Sequence, residues 1–279
     1  MKKILVPCDF SPTSINAFRF ALDVAAQSKG AIHLLHAIEL PVLHDTLLMP
    51  TLYFEKAYLE DVNKNTQKRF EKLIAKYKTG QVKVTSRVMF GMPSKMVQDY
   101  VSDEGIDIVI MGSHGASGIR EFLIGSNAAK IVRTSTVPVL VIKERVKNPI
   151  KRIVLPNSID PEKEVDLIMR IKALQSFFKA QLHLVWINTP LNFTLDTITR
   201  MKLNDMVKQF DLKNCTLDIF NYSDIDSGIL AYTEMVKGDF IAMGTHGRSG
   251  IAHLITGSIA EAVVNHGSIP VWTFVTKEG

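Results

Sequence analysis

An α/β fold of two tandem doubly wound domains is predicted by three observations. Short apolar runs alternate with helical patterns, the whole pattern occurs twice, and each copy carries the same glycine-spaced segment after its fourth apolar run. That segment is Gly112-Ser113-His114-Gly115, nine residues, then Gly125-Ser126; it recurs 132 positions later as Gly244-Thr245-His246-Gly247, nine residues, then Gly257-Ser258. Near the start of each copy, Lys3-Ile4-Leu5-Val6-Pro7 matches Arg152-Ile153-Val154-Leu155-Pro156, and Ala31-Ile32-His33-Leu34-Leu35 matches Gln181-Leu182-His183-Leu184-Val185. These early pairs lie 149 and 150 positions apart, so the second copy lacks about eighteen residues between its second and fourth strands. The first copy therefore carries an extra excursion from Glu39 to about Glu60, with Leu47-Leu48-Met49-Pro50 at its tip.

The first element is a strand over Lys3–Pro7, and the first helix opens at Ser11-Pro12, a capping serine with proline at the first helical position. It runs through Phe18, Ala21, Leu22 and Ala25 and stops at Gly30. Strands follow at Ala31–Ala37, Val82–Met89, Ile106–Met111 and Val137–Ile142. A long polar helix covers Thr51–Lys78, another begins after Pro93 and ends near Gly105, and the last starts at Gly125-Ser126 and ends near Ser135. The second copy repeats this with strands at Arg152–Leu155, Gln181–Ile187, Thr216–Asn221, Asp239–Met243 and Ile269–Val275, and a shorter helix over Thr197–Phe210. Five strands and four helices make a doubly wound, Rossmann-like unit, whose ligand lies beyond the carboxyl ends of the strands where the strand order reverses. The boundary between the two units falls between residues 146 and 147, in the basic stretch Lys143–Lys151, which contains Asn148-Pro149 and reads as a linker.

Composition bounds the function. Each half is long enough to bury a core without staples, and Cys8 and Cys215 share no short spacing, so neither a disulfide framework nor a metal site is expected. The sequence contains no apolar run of membrane-spanning length and no signal-peptide pattern after Met1-Lys2-Lys3, which leads to the expectation of a cytoplasmic protein without membrane attachment. The formal net charge of +5 is spread among acids, as in Lys68-Arg69-Phe70-Glu71-Lys72, and no basic patch is interleaved with aromatics, so nucleic acid is not an expected partner.

The glycine segment carries the chemistry. Gly112 and Gly115 are expected to bend the chain with φ > 0 as it leaves a buried strand, exposing successive N–H groups without a Cβ in the way. Gly125 and Ser126 then open a helix, so phosphates would sit over Gly125, Ser126 and Asn127 at its N-terminus, where N–H donors are unpaired and the dipole is positive. The alternative is that the glycines only shape a turn and Ser126 only caps a helix; recurrence of the full spacing argues against it. His114 and His246 share a loop position but have no ligand-spaced partner, and are expected to hydrogen-bond the loop rather than act chemically. Arg120 and Arg248 are expected to be solvated arms, and His33, His36 and His183 strand residues. No catalytic residue is assigned.

With these residues in place the chain resembles the universal stress proteins, whose nucleotide-binding members carry G-x-x-G, nine residues, G-[S/T]. The opening Ile4-Leu5-Val6-Pro7-Cys8-Asp9-Phe10-Ser11 is similar to that family's first strand and turn, and Pro138-Val139-Leu140-Val141-Ile142 to its last strand. The resemblance covers essentially the whole chain and implies a tandem, ATP-binding member acting in stress response, with magnesium held largely by the phosphates and water. By resemblance Asp9 contacts the nucleoside, the Ala37 backbone lines the adenine slot, and Met111, Gly112, Gly115, Gly125, Ser126 and Asn127 hold ribose and phosphates, with Pro7 at the end of the first strand also among the cofactor-binding candidates. The aligned positions of the second copy are Pro156, Ser158, Ile187, Met243, Gly244, Gly247, Gly257, Ser258 and Ile259, with Ser158 in place of the carboxylate. The resemblance also implies that the final strands of the two halves pair, making an internal pseudo-dimer; homo-oligomerisation of whole chains and protein partners are left open.

The sequence lacks the P-loop pattern G-x-x-x-x-G-K-[S/T] and a G-x-S-x-G elbow. A nucleotide-dependent regulatory module is therefore the first expectation. The alternatives are a slow ATPase or phosphotransferase using His114, and a stress scaffold that binds no nucleotide.

Overall fold

A computed structural model describes the chain except residues 40–55, 78–79, 115–124, 147–148, 159–164, 247–252 and 277–279. The excursion tip at Leu47–Pro50, together with Gly115, Arg120, Gly247 and Arg248, lies outside the described residues. The first half runs β1 (Lys3–Pro7), α1 (Pro12–Ser28), β2 (Ala31–Ile38), α2 (Lys56–Lys76), β3 (Lys83–Phe90), α3 (Pro93–Glu104), β4 (Ile108–Gly112), α4 (Ser126–Thr134) and β5 (Val139–Ile142). The second half repeats it as β6 (Arg152–Pro156), α5 (Val165–Phe178), β7 (Gln181–Asn188), α6 (Asp196–Gln209), β8 (Cys215–Asn221), α7 (Ile225–Met235), β9 (Phe240–His246), α8 (His253–His266) and β10 (Val271–Thr276). The boundaries agree with the sequence reading to within a few residues. The predicted start of the long helix, residues 51–55, lies outside the described residues, and the helix is described over Lys56–Lys76.

All ten strands join one sheet in the order β3-β2-β1-β4-β5-β10-β9-β6-β7-β8. Every pairing is parallel except the central one, where β5 and β10 run antiparallel with Trp272 opposite Leu140 and Val271 opposite Val141. The two halves thus form the expected internal pseudo-dimer through their last strands, which removes two exposed sheet edges at once. Within each half the strand order reverses between the first and fourth strands, at β1/β4 and again at β6/β9.

Alternation along the strands sorts the core onto two faces. Ile4, Val6, Ile32 and Leu34 pack under α1 and α2, while Leu5, Leu35, Val109 and Met111 pack under α3 and α4. Both layers continue across the β5–β10 seam, and Phe20 of α1 stacks on Phe178 of α5 with ring centroids 6.4 Å apart. The repeat extends to single hydrogen bonds: Asp107 accepts the Lys3 N–H at 3.0 Å, and Asp239 accepts the Lys151 and Arg152 N–H groups at 2.9 Å, each carboxylate holding the start of its own half's first strand.

One local expectation is corrected. Helix α1 stops at Lys29, which itself takes the left-handed conformation at φ 51°. Gly30 is instead required for space, since a Cβ there would lie 2.9 Å from the Lys2 carbonyl oxygen. The basic stretch between the halves is anchored at both ends, because the Lys143 ammonium donates to the Asn265 carbonyl and Ile150 is fully buried.

Candidate functional site

The site grows from four chain ends that meet where β1 and β4 diverge. Strand β1 stops at Pro7, and the Cys8 N–H donates to the Leu35 carbonyl at 2.8 Å, the last tie to β2. Asp9 then turns the chain, one carboxylate oxygen accepting the Ser11 N–H at 3.0 Å. Ser11 caps α1 by accepting the Ser14 N–H at 3.3 Å, so Asp9 supports the helix entry as well as facing the cavity. Between them Phe10 sits at φ 66°, a backbone region that bulky residues rarely occupy.

Strand β4 brings Met111 and Gly112 to the same mouth. The Thr13 hydroxyl donates to the His114 carbonyl at 2.6 Å, and the Ser113 carbonyl accepts the Gly125 N–H at 2.8 Å, which returns the chain to the strand end before α4 begins. Gly125 is the N-cap of α4 at φ −61°, ψ 145°, with no side-chain cap, so the first-turn N–H groups of Ser126, Asn127 and Ala128 lack intrahelical partners and face the cavity. Gly112 does not carry the positive φ expected of it, and Gly115 lies outside the described residues. The described glycines with positive φ are Gly80, Gly91 and Gly105; Gly112 is glycine because the start of α1 is in contact with it.

The third wall is β2. Leu35 directs its carbonyl toward β1, and since backbone groups alternate in direction along a strand, Ala37 directs its N–H and C=O the same way. Register with β1 ends at the Pro7–Leu35 pair, so those two groups point past the strand into the cavity. Pro93 and Val97 of α3, with Met111 and Ile131, supply apolar surface.

Pro7, Asp9, Ala37, Met111, Gly112, Gly125, Ser126 and Asn127 therefore line one cavity, while Gly115 is outside the described residues. Sequence reasoning missed Cys8, Ser14 and His36, which also line it. The signal for His36 was its place beside Ala37 at the end of β2. Its ring Nδ1–H donates to the Cys8 carbonyl at 2.7 Å, and burial holds its pKa below the ordinary histidine value. Burial likewise pushes the Cys8 thiol up. His114 Nδ1 lies 2.8 Å from the Ser113 hydroxyl, a loop contact of the expected kind.

The second half builds the same frame with different ends. The Asn157 N–H donates to the Val185 carbonyl at 3.0 Å, as Cys8 does to Leu35. Ser158 is exposed, and Ile187, in the place of Ala37, is buried against α7. Met243 and Gly244 belong to β9, which continues to His246 in register with β10. Helix α8 begins at His253, so Gly257, Ser258 and Ile259 lie beyond its first turn, where backbone N–H groups are spent on i−4 carbonyls. The repeated spacing does not produce a repeated helix start. Gly247 is outside the described residues.

Among the described residues no group of three or more His, Cys, Asp or Glu side chains is disposed to hold a metal ion, and no helix is long and apolar enough to cross a membrane.

The sequence pattern of the universal stress protein family matches residues 1–143 and 221–274. The universal stress protein MJ0577 of Methanocaldococcus jannaschii is 28% identical over 155 residues, covering 52% of this chain and 96% of that protein. The universal stress protein YxiE of Bacillus subtilis is 26% identical over 145 residues, covering 50% of this chain and 98% of its own length. Among solved structures, a universal stress protein from Archaeoglobus fulgidus superposes with a TM-score of 0.75 at 20% identity, covering 98% of this chain and 96% of its own, a likeness of fold.

Proposed function

This chain belongs to the universal stress protein family, and from that premise we propose that it is an ATP-binding regulatory module whose first half, residues 1–146, holds the nucleotide. The observation that carries the reading is the start of α4, where an uncapped helix N-terminus opens onto the cavity between β1 and β4. Backbone donors and the positive end of a helix dipole favour a phosphate there, over Gly125, Ser126 and Asn127. The Ala37 N–H and C=O offer one donor and one acceptor to the edge of a base, an arrangement that suits adenine, which has an acceptor nitrogen beside its amino group. Apolar surface from Pro93, Val97 and Ile131 would supply the faces for the ring, and Asp9, on the cavity wall, would meet the nucleoside. Magnesium would be held by the phosphates and water. In this reading residues 147–279 form the second unit, joined to the first through β5 and β10, and nucleotide occupancy alters the surface that unknown protein partners meet.

Calorimetric titration of the purified chain with ATP tests it, alongside Gly125→Asp. A carboxylate on the α4 N-cap would occupy the anion position and repel phosphate. Binding by the unaltered chain that is lost in a folded Gly125→Asp variant is the expected result; equal affinity in both would overturn the phosphate assignment.

A second reading, slow phosphoryl transfer to water, draws on the Ser113 hydroxyl and His114 imidazole at 2.8 Å on the cavity wall. Turnover abolished in His114→Ala with binding retained would favour it.

A further inference from the structure

The turn that carries Asp9 is held in a conformation its own sequence disfavours. Phe10 is bulky and has φ 66°, a left-handed backbone that is costly for such a residue and persists only where neighbours enforce it. The neighbours are specific. The Arg69 guanidinium lies over the Phe10 ring at 3.8 Å, the buried Phe70 ring packs against it with centroids 4.9 Å apart, and His36 lies at 5.3 Å on the same ring. His36 also grips the residue on the other side of Asp9, through its bond to the Cys8 carbonyl. Asp9 is thereby clamped between two anchored residues, with its carboxylate held by the Ser11 N–H.

We propose that Arg69 is a positioning residue for the nucleotide site: by stacking on Phe10 it holds the left-handed turn that aims Asp9 into the cavity, without touching ligand itself. Arg69 is exposed and sits on α2, a helix whose other role is to cover the sheet, so its side chain is not needed for the core. An exposed cation over an aromatic ring contributes about 0.5–1 kcal/mol, which corresponds to roughly a two- to fivefold change in a dissociation constant. The inference rests on the ATP-binding reading above, and the experiment separates the two.

ATP affinity of the full chain is measured for the unaltered protein, Arg69→Ala, Arg69→Lys, Asp9→Ala and the Asp9→Ala/Arg69→Ala pair. Arg69→Ala should bind roughly two- to fivefold more weakly, and Arg69→Lys should recover part of the loss because an ammonium can still lie over the ring. In the Asp9→Ala background the arginine change should have no further effect, since its action passes through that carboxylate. An equal loss in both backgrounds would mean that Arg69 attracts the phosphates by charge alone, and would overturn the proposal. A ligand-free crystal structure of Arg69→Ala gives a readout independent of binding. Phe10 leaving the left-handed region, or loss of the Asp9–Ser11 bond, is expected; an unchanged turn overturns the inference whether or not ATP binds. Absence of ATP binding by the unaltered chain would instead count against the function proposed above.

Discussion

A Cβ placed on Gly112 would lie 2.8 Å from the hydroxyl oxygen of Thr13, and equally close to that residue's carbonyl carbon and the Ser14 nitrogen. Strand β4 and the first turn of α1 thus meet backbone to backbone, and the same Thr13 hydroxyl holds the chain beyond β4 by donating to the His114 carbonyl.

Gly112→Ala should therefore push α1 away from the cavity mouth. The obstructing atoms are mostly backbone, so relief requires a helix shift, at about 1–3 kcal/mol of overpacking cost. Gly80→Ala is the contrast: among the described residues nothing lies within 4 Å of its Cβ position, and its φ of 61° is what resists the change. Urea denaturation of both variants, with ATP titration, should show site damage in Gly112→Ala alone. Equal nucleotide affinity in Gly112→Ala and the unaltered chain would contradict this account.

The β5–β10 seam should be a main source of stability. Trp272 and Leu140 are paired across it, each 2% exposed. Trp272→Ala should cost about 3–5 kcal/mol, as for other large-to-small changes in a core. A loss below about 1 kcal/mol in chemical denaturation would mean that the halves hold together by other contacts.

Stability should fall as the pH drops below the ordinary histidine range. Burial depresses the folded-state pKa of His33, His36 and His183 below the ordinary histidine value of 6.5. The unfolded chain then binds protons first, so the contribution is fully present above pH 6.5 and is lost as pH falls through the folded values. Denaturation midpoints should decrease between pH 7.5 and 5.5, and the decrease should shrink in His33→Gln/His183→Gln. A midpoint that rises over that interval would rule out this origin.

The two halves should bind unequally. Asp9 is matched by Ser158, and the donors that Ser126 and Asn127 present at the start of α4 have no counterpart at Gly257, which lies inside α8. Losing a hydrogen bond to a charged acceptor typically weakens binding roughly ten- to hundredfold, so Asp9→Ala should lose the tight site. Gly257→Asp should leave it intact; a tight site removed by Gly257→Asp and untouched by Asp9→Ala would reverse the assignment.

The elements were legible because their causes are local. Ser11-Pro12 announces a helix start, Gly105 a left-handed helix end at φ 60°, and the apolar runs a parallel sheet buried on both faces. Part of the cavity lining was legible too, Gly112, Gly125 and Ser126 through their spacing and Pro7, Asp9 and Ala37 through the strand ends where they stand. His36 was not, because a histidine near the end of a strand looks the same in sequence whether it faces solvent or holds the Cys8 carbonyl.

By itself the sequence determined the two α/β repeats, the order of their elements and the glycine spacing, since hydrophobic period, capping and turn chemistry are read over a few neighbouring residues. Only the tertiary structure decided that Gly125 sits at the start of its helix while Gly257 lies inside its own. It also decided that Gly112 is there for contact rather than for φ, and that Arg69 reaches Phe10 from fifty-nine residues away. Those outcomes depend on which surfaces the packed sheet brings within a few ångströms of one another, and identical local motifs diverge when the elements packed against them differ.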